Sequence, residues 1–293
     1  MSVDRLTNIL VTITLVEMMV LIGLRAAFAE LIRTARNWRL VARAVAANYL
    51  FVPAIAVALL ILFEAAPMVA AGFLILAVCP GAPYGPPLAG IARANATAAV
   101  GLMVILAGSS AIVSPALLYL LLPPVSGGEA PRIDLMGMLA ALLSAQLLPL
   151  LLGLLVKHWR PQLADRLLRP FELISKVLNL SVAALILATQ FPMLTEIRIK
   201  GFVGMLLLLV ASLVIGWLAG GPGRDSRRTM ALTTSLRNVG VGLVIATGNF
   251  AGTPAVSAAL AYGILEVLGS LLVALWWGKS DVSASRSSSP KQQ

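Results

Sequence analysis

The chain of 293 residues is 59% hydrophobic and only 12% charged, with a mean hydropathy of +0.95. A soluble domain needs about one quarter charged residues to face water, so this composition excludes a globule and makes lipid the solvent. The net charge of +10 lies in short loops between apolar runs, which argues against nucleic acid. One cysteine (Cys79) and one histidine (His158) exclude a disulfide framework, a Cys/His zinc site and most His-based catalysis.

A bilayer core about 30 Å thick takes roughly 20 apolar residues per helix. That ruler predicts nine segments, at 7–28, 41–63, 66–97, 98–122, 135–156, 170–190, 201–220, 229–250 and 254–278. The first carries Glu17 and lacks a basic leader with a small-residue cleavage site, so no cleavable signal peptide is expected. The second places Asn48 in "VAANYLFVPA" about 10 Å inside its helix. The third reads "FLILAVCPGAPYGPPLAGIARAN", where Pro80, Gly81, Pro83, Gly85, Pro86 and Pro87 cannot sustain a helix. The sixth holds Glu172 and Lys176 at i, i+4 spacing, read as a structural pair, and Asn179, Thr189 and Gln190 as crevice candidates. The eighth, "TTSLRNVGVGLVIATG", sets Gly240 and Gly242 after a polar cluster and is the second interruption. The ninth carries Tyr262, Glu266 and Ser270 as one polar stripe, which faces a partner or cavity more often than lipid. Residues 279–293 are polar and low in complexity, and a disordered cytoplasmic tail is expected.

Orientation follows from the Lys/Arg bias of short loops. One side collects fifteen basic residues: Arg33, Arg36, Arg39, Arg43, Arg93, Lys157, Arg160, Arg166, Arg169, Arg224, Arg227, Arg228, Lys279, Arg286 and Lys291. The other collects four, namely Arg5, Arg132, Arg198 and Lys200. This bias puts the N-terminus outside, the C-terminus in the cytoplasm and the protein in the cell (inner) membrane.

Segments one to four and six to nine form two candidate repeats about the fifth, and the odd fifth inverts the second repeat. Each interruption then falls in the third helix of its repeat. Unwound backbone at membrane depth is tolerated only inside protein or along a water-filled cavity, and paired interruptions of this kind mark a secondary transporter's binding site. Arg237 lies roughly 12 Å inside its segment, Glu17 about 15 Å and Glu266 about 18 Å, so all three reach the middle of the bilayer. Unpaired charges there are costly and face partners. Arg237 is read as the holder of an anionic substrate, or as standing where a coupling cation would. A buried Arg237–Glu266 pair that only fixes helix packing is the alternative, as is a side chain snorkelling to the interface. Two acids and one base leave one carboxylate over, able to carry a proton.

The stretches "GLRAAF", "NYLFVPAIA", "GFLILAVCPGAPYGPPLAGIARAN" and "LRNVGVGL" resemble, in order and spacing, the bile acid:sodium symporter family over residues 15 to 278. The resemblance implies an all-α membrane protein with two broken helices crossing near the midplane. A core domain (about 41–122 and 201–278) would stand beside a panel domain (about 7–28 and 135–190), the whole forming one transmembrane unit, 1–278. It implies uptake of a small organic anion driven by sodium, with substrate between core and panel. The family's sodium ligands fall, in this sequence, on Gly85 and Pro86, on Ala99 and Met103, on Thr233, on Arg237 and on Asn48. Only a degenerate sodium site near Asn48, Thr233 and Glu266 is left, and no confident metal ligand. Asn238 matches the family's asparagine.

The function expected is therefore a secondary transporter of a small organic anion working by alternating access, without the family's usual sodium sites. Arg237, Asn238, Glu266, Thr233, Asn48 and Glu17 are its candidate binding or coupling residues, and Pro80, Gly81, Pro83, Gly85, Pro86, Gly240 and Gly242 its broken-helix backbone. The coupling ion is proton or sodium; sodium symport with altered ligands and a transport-dead sensor or partner protein are the alternatives. No catalytic pair lies among the helices, so an enzyme is not expected; no cofactor is implied, and the oligomeric state is not written in the sequence.

Overall fold

Apolar runs long enough to span a bilayer become helices here because lipid cannot satisfy a free N–H or C=O. The computed structural model describes residues 2–126, 134–194 and 197–287 (backbone alone for 193, 194 and 281–287). Arg132 and Lys291 lie outside the described residues. Helix α1 (Val3–Arg25) starts at Ser2, whose hydroxyl accepts from the Arg5 N–H. Then α2 (Phe28–Arg36), a short amphipathic helix, fills the loop between the first two predicted segments. Asn37 caps α3 (Trp38–Leu62) through the Leu40 N–H. The third segment is split into α4 (Pro67–Ala77) and α5 (Gly85–Ile91), followed by α6 (Ala96–Ser126), α7 (Leu135–Trp159), α8 (Pro161–Leu194) and α9 (Ile199–Ala219). The eighth segment is split into α10 (Arg224–Ser235) and α11 (Val239–Asn249), and α12 (Pro254–Ser287) closes the described chain. No strand occurs among the described residues.

Seven of these helices are long and apolar enough to cross a membrane, and α4 and α11 are shorter apolar helices. With the two split segments this reproduces the nine predicted crossings of an all-α membrane protein. Two crossings widen locally into π turns, Ala47–Phe51 in α3 and Leu143–Leu147 in α7. Each lies just before a proline, Pro53 and Pro149, whose missing N–H and bulky ring disturb the carbonyl four residues back.

Helices α1, α7 and α8 pack on one another and form what we call the panel. Gly23 and Gly153 let α1 and α7 meet backbone to backbone, since a β-carbon at either would strike the other helix's main chain. Helices α3 to α6 and α9 to α12 pack around the two breaks and form the core, with α4 lying along α12 and α9 along α10. Panel meets core where α1 touches α11, α8 touches α12 and α7 touches α6. Arg228, one of the fifteen loop cations by sequence, is buried on α10 with Nη1 donating to the Ala92 carbonyl at 3.0 Å. The α12 backbone stays helical through Ser287; residues 288–293 of the tail lie outside the described residues.

Candidate functional site: the crossing of two broken helices

The first break follows from its residues. Helix α4 ends at Ala77, and Pro80 offers no N–H to continue it. Gly81 adopts φ +91°, and a β-carbon there would strike the Ala107 backbone of α6. Pro83 lies in the break, and Gly85 and Pro86 open α5. The Ser114 hydroxyl of α6 ties down the released Val78 carbonyl at 2.6 Å.

The second break contains no proline, and its neighbours hold it open. Three consecutive N–H groups find acceptors other than an α-helical i−4 carbonyl. Arg237 N–H donates to Glu266 Oε1 at 2.7 Å, Asn238 N–H to the Cys79 carbonyl at 2.7 Å, and Val239 N–H to the Arg237 carbonyl at 3.0 Å. Arg237 and Pro80 pair as an antiparallel bridge, so the two breaks meet directly. Asn238 fastens both: its Oδ1 caps α11 at the Val241 N–H (3.2 Å) and its Nδ2 reaches the Gly81 carbonyl (3.3 Å).

The Arg237 guanidinium is wholly buried. Nη1 donates to the Ala77 carbonyl at 3.4 Å and Nη2 to the Thr234 carbonyl. Those carbonyls are the free C-terminal ends of α4 and α10, where helix dipoles concentrate negative charge. Glu266 reaches Arg237 through the backbone N–H, while its second oxygen, Oε2, has no partner. The polar stripe of α12 turns into the core: Tyr262 packs on the Phe73 ring (5.1 Å between centroids) and Ser270 meets Ser235 at 2.9 Å.

Asn48 lies in the α3 π turn, buried, with Nδ2 donating to the Ala44 carbonyl (2.9 Å) and Thr234 Oγ1 (3.4 Å) and with Oδ1 unpartnered. Thr233 spends its hydroxyl on the Thr229 carbonyl at 2.9 Å and lies against Gly85. Among the described residues no three of His, Cys, Asp and Glu gather as a metal cluster. Glu17 stands apart from the crossing, buried on the panel helix α1. Gly242 packs beneath Leu76 of α4, and a β-carbon there would require the Leu76 side chain to shift.

Between panel and core lies a cavity of about 220 Å³. Thr14 and Met18 of α1, Asn179 of α8, Tyr84 beside the first break, and Val239 and Gly240 at the α11 N-terminus line it with apolar neighbours from α12. Among the described residues no charged side chain lines it, and the Arg237 guanidinium points instead toward the α4 and α10 carbonyls. Sequence reasoning did not single out Thr14 or Tyr84, because a lone hydroxyl on an apolar run carries no spacing signal. Of the crevice candidates, Asn179 lines the cavity, Gln190 accepts from Ser257 of α12 at 2.9 Å, and Thr189 is exposed. Glu172 does not pair with Lys176: it meets Arg25 of α1 at 2.7 Å, since the neighbouring helix offers a guanidinium at closer range.

Residues 12–215 match the Sodium Bile acid symporter family. The chain is 25% identical over 275 residues to the probable sodium/metabolite cotransporter BASS2, chloroplastic, of Oryza sativa subsp. japonica, spanning 91% of this chain and 64% of that protein. It is 23% identical over 258 residues to the uncharacterized sodium-dependent transporter YocS of Bacillus subtilis (strain 168), spanning 86% of this chain and 77% of that one. With the matched length, the two broken helices and their crossing in agreement, the chain belongs to the Sodium Bile acid symporter family.

Proposed function

We propose that the chain is a secondary transporter, not an enzyme, that carries a small organic anion across the inner membrane. Transport proceeds by alternating access of the cavity between panel and core, with Arg237 replacing a bound sodium ion. The observation that carries this reading is the placement of the guanidinium. It occupies the meeting point of two half-helix C-termini, where carriers of this architecture hold their coupling cation. A tethered cation makes the crossing electrostatically complete without an ion from solution, and it leaves the cavity's α11 N-terminus, with its partial positive charge, to attract the substrate's anionic group. Fifteen basic residues on one side against four on the other favour a cytoplasmic C-terminus.

The two relatives, a probable sodium/metabolite cotransporter and a sodium-dependent transporter, favour a second reading, sodium symport, in which Asn48 Oδ1 and Glu266 Oε2, both without a hydrogen-bond partner among the described residues, supply ligands beside Thr233. Uptake of radiolabelled organic anions, first ranked by thermal-shift screening, into proteoliposomes separates the two. The first reading expects equal uptake with sodium or choline outside at a fixed proton gradient. Uptake that requires a sodium gradient refutes it and supports the second.

A further inference from the structure

Among the described residues the buried acids are Glu17 and Glu266. Glu266 is engaged: its Oε1 accepts from the Arg237 backbone at the crossing. Glu17 has no such engagement. Among the described residues neither of its oxygens meets hydrogen-bond geometry with a donor, although the Ser175 hydroxyl of α8 lies beside it and interacts with the carboxyl. Two anions close together in a poorly solvated site repel, and an ionised carboxylate buried without a donor or cation is costly; taking up a proton removes both costs.

The surroundings tie that carboxyl to the cavity. Glu17 is one helical turn from Thr14 and adjacent to Met18, both of which line the cavity. Asn179, a third lining residue, donates to the Ser175 carbonyl at 2.8 Å and lies 3.9 Å from Met18 Sδ. Arg25, on α1 itself, is a cation whose charge reaches Glu17 from about two helical turns away, and it is shared with Glu172 of α8 at 2.7 Å. Lys176 of α8 is on its exposed face. At the far end of α7, Lys157 pairs with Asp165 and His158 stacks on Phe28; α11 carries no titratable side chain. Helix α1 touches α7 and α8 within the panel and α11 of the core, so Glu17 stands on the helix that lies between the two groups.

We propose that Glu17 is the proton-binding site through which this carrier couples anion movement to a proton gradient. A proton from one side adds to a Glu17 carboxylate oxygen and forms the neutral acid. The substrate anion then occupies the cavity without a second negative charge one turn away, and after the domains move the proton and the anion both leave on the opposite side. The inference rests on the transport reading above, but the test needs no substrate.

The probe is the proton itself, and the readout is the infrared difference spectrum between acid and alkaline buffer of the full chain in phosphatidylcholine vesicles. Wild type is expected to show the high-frequency C=O band of a protonated carboxyl group shielded from water. That band is expected to vanish in Glu17→Gln, persist in Glu266→Gln and move in Ser175→Ala, which alters the group beside the acid. Where Glu17→Gln fails to fold, Glu17→Asp must move the band without abolishing it. A band that survives Glu17→Gln, stays unmoved in Glu17→Asp, or is missing from wild type overturns the proposal. The band with no anion uptake would sink the transport reading alone.

Discussion

Replacing Arg237 by Gln removes a cation and leaves the crossing's oxygens in place. The guanidinium serves the carbonyls of Ala77 and Thr234, each a charge-assisted bond worth about 1.5–3 kcal/mol. A glutamine amide reaches one of them, so the net loss is about 2 kcal/mol, roughly 3 °C in apparent unfolding temperature for a chain of this size. The variant also gains something wild type lacks, a vacancy among the oxygens of Ala77, Thr234, Asn48 and Glu266, the last two already unpartnered. Sodium at ten times its dissociation constant then restores about 1.4 kcal/mol, or roughly 2 °C. The assay is thermal unfolding of the detergent-purified protein in sodium against choline chloride at matched ionic strength. Wild type is expected to be indifferent to sodium and Arg237→Gln to respond. Sodium stabilisation of wild type, or a variant as stable as wild type in choline, refutes the reasoning.

Asn238→Ala removes the α11 cap and the tie to the Gly81 carbonyl, and should lower stability by about 1–2 kcal/mol. Asn238→Ser, which keeps an uncharged capping oxygen, should lose less in the same melt. Gly81→Ala meets both a left-handed φ and the Ala107 backbone, so a loss of about 3 kcal/mol or failure to accumulate folded protein is expected by size-exclusion chromatography. The Gln190–Ser257 bond joins panel to core, and the native Cys79 is buried. A Gln190→Cys/Ser257→Cys pair bridged by a short thiol cross-linker should therefore stop anion uptake until reductant is added; uptake that continues after cross-linking speaks against relative motion of α8 and α12.

The segments that the sequence delimits by apolarity and length match the helices within a few residues at many ends: 254–278 begins where α12 begins, and 201–220 differs from Ile199–Ala219 by two residues at one end and one at the other. The first break was plain because proline and glycine forbid helix wherever they stand. The second shows only as a charge and two glycines, since the acceptors that open it, the Cys79 carbonyl and the Glu266 carboxylate, lie far away in the chain. The same limit explains the choice of Arg25 over Lys176 by Glu172 and the direction of the Arg237 guanidinium. Spacing along one helix shows which residues share a face, not what the opposite helix presents to them. Helix α2 was missed because nine charged and apolar residues between two spans read as loop.

The missing proline in the second break bears on how the protein is assembled. Residues 224–249 carry no residue that forbids a continuous helix, and the acceptor for the Arg237 N–H arrives only with Glu266, later in the chain. A nascent chain ending near residue 250 already has the Cys79 and Ala77 carbonyls and the Pro80 pairing that meet the second break, but the Arg237 N–H still lacks its carboxylate acceptor. The full set of hydrogen bonds at the crossing is therefore complete only when α12 has packed against it, which makes finishing the crossing a late step of tertiary assembly.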